Sequence, residues 1–169
     1  RFDLLTVGDA DLMVGSFDKL DAVESAGLGI RSLASNRNPA IYLPFYQNPA
    51  GAAAPDPPPW DSNVFGESGK LVRQALSKLV DRDEIIEFLL AGLGTTEGAC
   101  IQSWWPHNPG FNEDCVPDTF DPDGALALLN QAGYDDFGDL SVSMSLGIHP
   151  AFPVCGDIAE AVAQQWRNA

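Results

Sequence analysis

The sequence predicts an α/β fold, a mixed sheet flanked by helices, and three features carry that prediction. Residues 139–148, DLSVSMSLGI, alternate Leu140, Val142, Met144 and Leu146 with Ser and Gly, the period-2 pattern of a strand with one buried face. Residues 68–92 carry an apolar stripe at helical spacing. Short apolar runs and capped helices alternate along the chain, the ordering expected when helices pack on a sheet.

The elements follow in chain order. Phe2, Leu4 and Leu5 predict a helix that closes at Gly8, and Leu12-Met13-Val14 a short buried strand. Ser16 is placed to cap a helix through about Ala26, with Leu20, Val23 and Ala26 on one face and Gly27 as its stop. Leu28, Ile30 and Leu33 suggest a further strand. Residues 40–46, AIYLPFY, read as an aromatic strand that Pro44 confines to an edge or a bend. From Pro49 to Asp61 the composition turns to PAGAAAPDPPPWD, a loop of polyproline II character that reads as an exposed insertion or a connector.

Leu71, Val72, Ala75, Leu76, Leu79 and Val80 then form one face of a helix, with Lys70, Arg73, Gln74, Ser77 and Lys78 on the other. Asp81 opens a second helix. Asp81 with Glu84 makes a capping-box pattern, Val80 with Ile85 a hydrophobic staple, and Gly92 a stop, leaving Ile85, Ile86, Leu89 and Leu90 toward a core. Asp121 and Pro122 supply the cap and first turn of a third helix, with Ala125, Leu126, Leu128 and Leu129 buried and Gly133 as terminator. Asp157 and Glu160 form another capping-box pattern, starting a helix that turns Ile158, Ala159, Val162, Ala163 and Trp166 inward.

Composition narrows the function classes. The chain has 169 residues and a formal charge of −15, from 9 Lys plus Arg against 24 Asp plus Glu, with 45% hydrophobic residues. That apolar fraction can bury a core, and a chain of this length hides roughly 70% of its unfolded surface. The acidic excess argues against nucleic acid and against an anionic membrane surface. No apolar run approaches the roughly 18 residues of a membrane span. The acidity is uneven: no Lys or Arg lies between Arg82 and Arg167, whereas 14 of the 24 acids fall from Asp83 to Glu160. A solvated acidic surface is the simpler reading, and a cleft tuned to cationic ligands the alternative. The chain opens at Arg1 without a Met, a signal peptide or a lipid-attachment cysteine, as expected of a processed or truncated form.

Three cysteines, Cys100, Cys115 and Cys155, allow at most one internal bridge. Cys100 and Cys115 bracket the loop CIQSWWPHNPGFNEDC, where a disulfide would contribute about 3 kcal/mol and imply an oxidising compartment. Two unrelated buried thiols are the alternative. Catalytic and metal patterns are absent from the sequence: there is no CxxC, His107 and His149 lack HExxH spacing, and no GxSxG elbow occurs. GESGKL, residues 66–71, lacks the spacing of a phosphate loop and reads as the start of a helix. The two helices of residues 68–92 have a helix-turn-helix outline, but DRDEIIEFLLAG is too acidic and apolar to enter a DNA groove. The carboxylate pairs Glu113 with Asp114 and Asp135 with Asp136 read as solvated loop residues. Trp104-Trp105-Pro106-His107, with Phe111 nearby, offers an apolar wall for a ligand; one Trp plugging the core beneath the loop is the competing reading.

The order of these motifs resembles the extracellular solute-binding proteins of family 5, the peptide, dipeptide and nickel binding components of ABC importers. Residues 72–94, VRQALSKLVDRDEIIEFLLAGLG, carry the family's "VRQAL" at Val72-Arg73-Gln74-Ala75-Leu76, its "DR" at Asp81-Arg82 and its "GLG" at Gly92-Leu93-Gly94. FDPDGALALLNQAGY, residues 120–134, echoes "YDP.KA..LL.EAGY". LLTVGDADLMVGS resembles an upstream helix-to-strand turn, and AEAVAQQWRNA the helix before the family's next strand. Tyr46 stands where the family usually has an asparagine, and the loop before residue 64 is lengthened.

The resemblance implies part of a type II periplasmic binding fold, two lobes closing on a ligand. Residues 1–38 would end the first lobe, and residues 39–169 would begin the second, with residues 47–63 as an insertion. Such a fragment would leave sheet edges and apolar faces uncovered. The implied function is the extracytoplasmic solute-binding component of an importer, periplasmic or a cell-surface lipoprotein, with no catalytic residue, metal or cofactor. It would bind a small solute or peptide, dock on membrane permease subunits, bind no nucleic acid and be monomeric at full length. Tyr46, Gln47, Trp104, Trp105 and His149 are the candidate cleft residues. Arg73, Asp81, Arg82 and Asp121 read as structural. The alternatives are a secreted carbohydrate- or peptide-recognition module not coupled to transport, and, more distantly, an acid hydrolase using Glu113 or Asp114.

Overall fold

A computed structural model of the chain describes residues 2–31, 56–96, 114, 116–142, 144 and 154–169. Helices dominate them: α1 (Phe2–Thr6), a 3-10 turn (Phe17–Lys19), α2 (Leu20–Ser25), α3 (Ser62–Phe65), α4 (Glu67–Lys78), α5 (Arg82–Leu89), α6 (Pro122–Ala132), a 3-10 turn (Phe137–Asp139) and α7 (Cys155–Asn168).

The core begins with the stripe on α4. Val72, Ala75, Leu76 and the adjoining Leu79 are buried, and they meet Ala125 and Leu129 of α6. The two helices run antiparallel and are tied at both ends. Near the start of α4, the Ser68 hydroxyl donates to the Ala132 carbonyl at 2.7 Å. At its end, the Asp121 amide donates to the Lys78 carbonyl at 2.9 Å, and the Lys78 ammonium lies 3.2 Å from the Asp121 carboxylate. That ion pair is part-exposed and screened by solvent, so apolar contact carries most of the pairing.

The end of the Pro-rich segment belongs to this core. Trp60 packs in the α4–α6 cluster, and Asp61 is the buried polar residue beside it. Burial is tolerated because Asp61 has partners: its carboxylate accepts from the Asn63 amide at 2.9 Å and caps α3. Arg73 donates to the Trp60 carbonyl at 2.6 Å. Gly66, at φ 59°, separates α3 from α4, which confirms GESGKL as the start of a helix.

A second cluster joins Ile85 of α5 to Ile158 and Val162 of α7. Val80, the other half of the predicted staple, packs against this cluster. Trp166 touches both clusters and donates its indole N–H to the Leu76 carbonyl at 3.0 Å.

Three predicted helix starts behave differently. Asp121 caps α6 with Pro122 at the first turn, and Gly133 closes it at φ 97°. Asp81 caps α5 by accepting from the Glu84 amide at 2.9 Å, but the reciprocal half of the box is replaced. Gln165 accepts from the Asp81 amide at 3.1 Å and donates to the Glu84 carboxylate at 2.8 Å. A side-chain amide from α7 thus satisfies both groups of the local box, which also fastens α5 to α7. At α7 the box fails outright. The helix starts at Cys155 behind Val154, and Asp157 falls inside its first turn, where its charge suits the helix dipole without capping.

The predicted strands do not form among the described residues. Leu12 and Val14 are 88% and 91% exposed rather than buried, and among the described residues no strand lies beside them to pair with. Leu28–Ile30 are likewise irregular. At residues 139–144 the alternation holds without the sheet: Leu140, Val142 and Met144 pack on the clusters while Ser141 faces solvent. Residues 40–46 and 145–148 lie outside the described residues. Two predicted core positions are also corrected: Ala26 is exposed, and Leu126 is on the outer side of α6, 38% exposed. Ser16, predicted to cap the start of the helix that Gly27 stops, donates instead to the Asp18 carboxylate, and the chain enters α2 through the 3-10 turn.

The cap at Asp121 makes stability depend on pH. The Gly124 amide, and after it the Lys78 ammonium, hold the Asp121 carboxyl below its usual 3.8. A carboxyl depressed in the native state stabilises above its unfolded value, and that contribution is lost as pH falls through the native one. The urea midpoint is therefore expected to fall less steeply from about pH 4 to about pH 2 in Asp121→Asn than in the parent chain. Equal slopes would remove Asp121 from the acid response.

Candidate functional site

The sequence-predicted ligand residues Tyr46, Gln47, Trp104, Trp105 and His149 lie outside the described residues, as do Cys100 and Cys115. Cys155 is a free thiol, half-buried at the start of α7. Of the carboxylate pairs, Asp114, Asp135 and Asp136 are exposed, and Glu113 is outside the described residues. Among the described residues no group of three or more His, Cys, Asp or Glu could hold a metal ion, and no helix is long and apolar enough to cross a membrane.

An open cleft of about 330 Å³ lies where α7 faces the extended segment after the second 3-10 turn. Leu76, Phe137, Leu140, Val142, Met144 and Trp166 line it, with Arg167 beside them. The three alternating residues Leu140, Val142 and Met144 thus share one wall. The Arg167 guanidinium is engaged with Glu160 at 3.3 Å and Gln164 at 3.2 Å. The described lining can take up an apolar group, and among the described residues that line it there is no acid–base pair.

The "DR" pair sits at the start of α5, and its two members have distinct work. Asp81 is the cap. Arg82 turns back under α4: one guanidinium nitrogen reaches the carbonyls of Ser77 and Val80, each at 3.3 Å, and of Asp118 at 3.1 Å, while the other donates to the Ser77 hydroxyl at 3.0 Å. A cation placed on the last carbonyls of a helix is favoured by their exposed partial charge. Burial pushes the Arg82 pKa down and the Asp118 charge partly offsets this, yet a guanidinium stays ionised. Arg82 therefore bolts the end of α4 to the segment leading into α6. Arg82→Ala is expected to lower unfolding free energy by about 2–3 kcal/mol, since hydrogen bonds to a charged group are lost and carbonyls are stranded. Arg82→Lys, which keeps the charge and loses the fork, should recover only part of it in urea titrations.

These contacts explain why the segment of residues 72–94 has its pattern: the apolar letters build the α4 stripe, and the Asp-Arg pair fixes the turn that follows it. The same residues match a known family. Residues 2–169 match the family described as "Bacterial extracellular solute-binding proteins, family 5 Middle".

The chain belongs to this family.

Among curated proteins, a dipeptide-binding protein of Escherichia coli (strain K12) is 32% identical over 95 residues, which is 56% of this chain and 17% of that protein. The chain thus spans only a small part of the relative's length. No solved structure matches. Membership of family 5 implies a type II periplasmic binding fold, to which the described residues contribute helices and no strand.

The sequence reading missed the contacts that hold this part of the family fold together. Gln165 gave no local signal, because a polar residue on an amphipathic helix reads as solvated. Trp166 was legible as inward-facing, one turn beyond Val162 and two beyond Ile158, but its bond to α4 was not.

Proposed function

We propose that this chain is part of the extracytoplasmic solute-binding component of an ABC importer, and that it binds a peptide-like or other small solute between two lobes. The observation that carries the reading is the family match over residues 2–169; the relative named as a dipeptide-binding protein supports a peptide-like ligand. Residues 1–38 would belong to the first lobe and residues 39–169 to the second, with the ligand cleft between them. Tyr46, Gln47, Trp104, Trp105 and His149 would line that cleft, and Cys100 with Cys115 would pin the Trp loop in an oxidising compartment. Lobe closure would create the form that docks on the permease subunits, with no chemical step on the solute.

The test is native mass spectrometry of the full-length protein for co-purified ligand, followed by calorimetry with a panel of dipeptides and longer peptides. A bound peptide mass, and saturable binding of at least one peptide class, are expected. Retained mono- or oligosaccharide with no peptide binding would overturn the peptide reading. In the same protein Trp105→Ala is expected to weaken solute affinity about tenfold or more, as for a buried aromatic anchor, with the unfolding midpoint unchanged. An unaltered calorimetric affinity would remove Trp105 from the cleft.

A further inference from the structure

We draw no further inference here: the strongest candidate, the apolar cleft between α7 and residues 140–144 beside Trp166, is an unpartnered apolar face, and nothing in the structure shows what covers it.

Discussion

Replacing Trp166 by Ala is expected to lower the unfolding free energy by about 3–5 kcal/mol, the range for truncating a large aromatic side chain in a core. Trp166 is not fully enclosed, since one side of it lines the open cleft, and this draws the expectation toward the lower end. Against that, among the described residues it is the one that packs on both apolar clusters. Its loss opens the Leu76–Leu129 cluster and the Ile85–Val162 cluster together and strands the Leu76 carbonyl, which accepts the indole N–H at 3.0 Å. Trp166→Phe separates the terms: it keeps most of the apolar contact and removes the hydrogen bond, so about 1 kcal/mol should be lost. The measurement is urea denaturation followed by far-UV circular dichroism, because helices from both clusters report there. If Trp166→Ala unfolds at the parent midpoint, the two clusters are not joined through this side chain. If Trp166→Phe is as damaging as Trp166→Ala, the hydrogen bond rather than the packing carries the connection.

What could be read from the sequence divides by the range of the interaction. Asp81, Asp121, Gly92 and Gly133 work within one helical turn, and local signals placed them correctly. The α4 stripe was likewise legible, because Val72, Ala75, Leu76 and Leu79 recur at the helical period. Strands were not, because a strand needs a partner elsewhere in the chain. At Leu12–Val14 apolar character suggested burial, and with no partner strand among the described residues the segment is exposed. At Leu140–Met144 the alternation correctly named the buried side while leaving open what, if anything, it pairs with. Gln165 acts on Asp81 across 84 positions, a distance over which no spacing rule applies. Trp60 and Asp61 were hidden by composition, since a Pro-rich run reads as solvated although its last residues enter the core. For the candidate site the motif order around residues 72–94 and 120–134 was enough to reach the family, which the match over residues 2–169 then established. The ligand residues rested on loop composition, and they lie outside the described residues.

Gly69→Ala is expected to destabilise the chain even though the substitution favours helix almost everywhere else. In a helix interior Ala is better than Gly by about 1 kcal/mol, because Gly loses more backbone freedom on folding. Gly69 is the third residue of α4, in its first turn, where that gain is at most as large, and it is buried. A Cβ at this position would lie 2.9 Å from the backbone carbon of Asp61 and 2.9 Å from the backbone nitrogen of Ser62. Those atoms are backbone, and no rotamer change can move them aside. Ser62 is the first residue of α3, and Asp61 is its cap, so relieving the contact pushes α3 away from α4 and strains the packing of Trp60. Overpacking of this kind costs about 1–3 kcal/mol, which exceeds the propensity gain, so a net loss of about 1–2 kcal/mol is expected. Gly69→Val adds a second clash and removes most of the propensity benefit, and the loss should rise to about 3 kcal/mol or more. The local signature is a rise in amide exchange at Asn63, Val64 and Phe65, whose amides are bonded to Asp61 in the native chain, with the α6 amides less affected. A Gly69→Ala chain that is more stable than the parent would show that α3 yields without cost, and that the close approach of Asp61 to α4 contributes nothing to the fold.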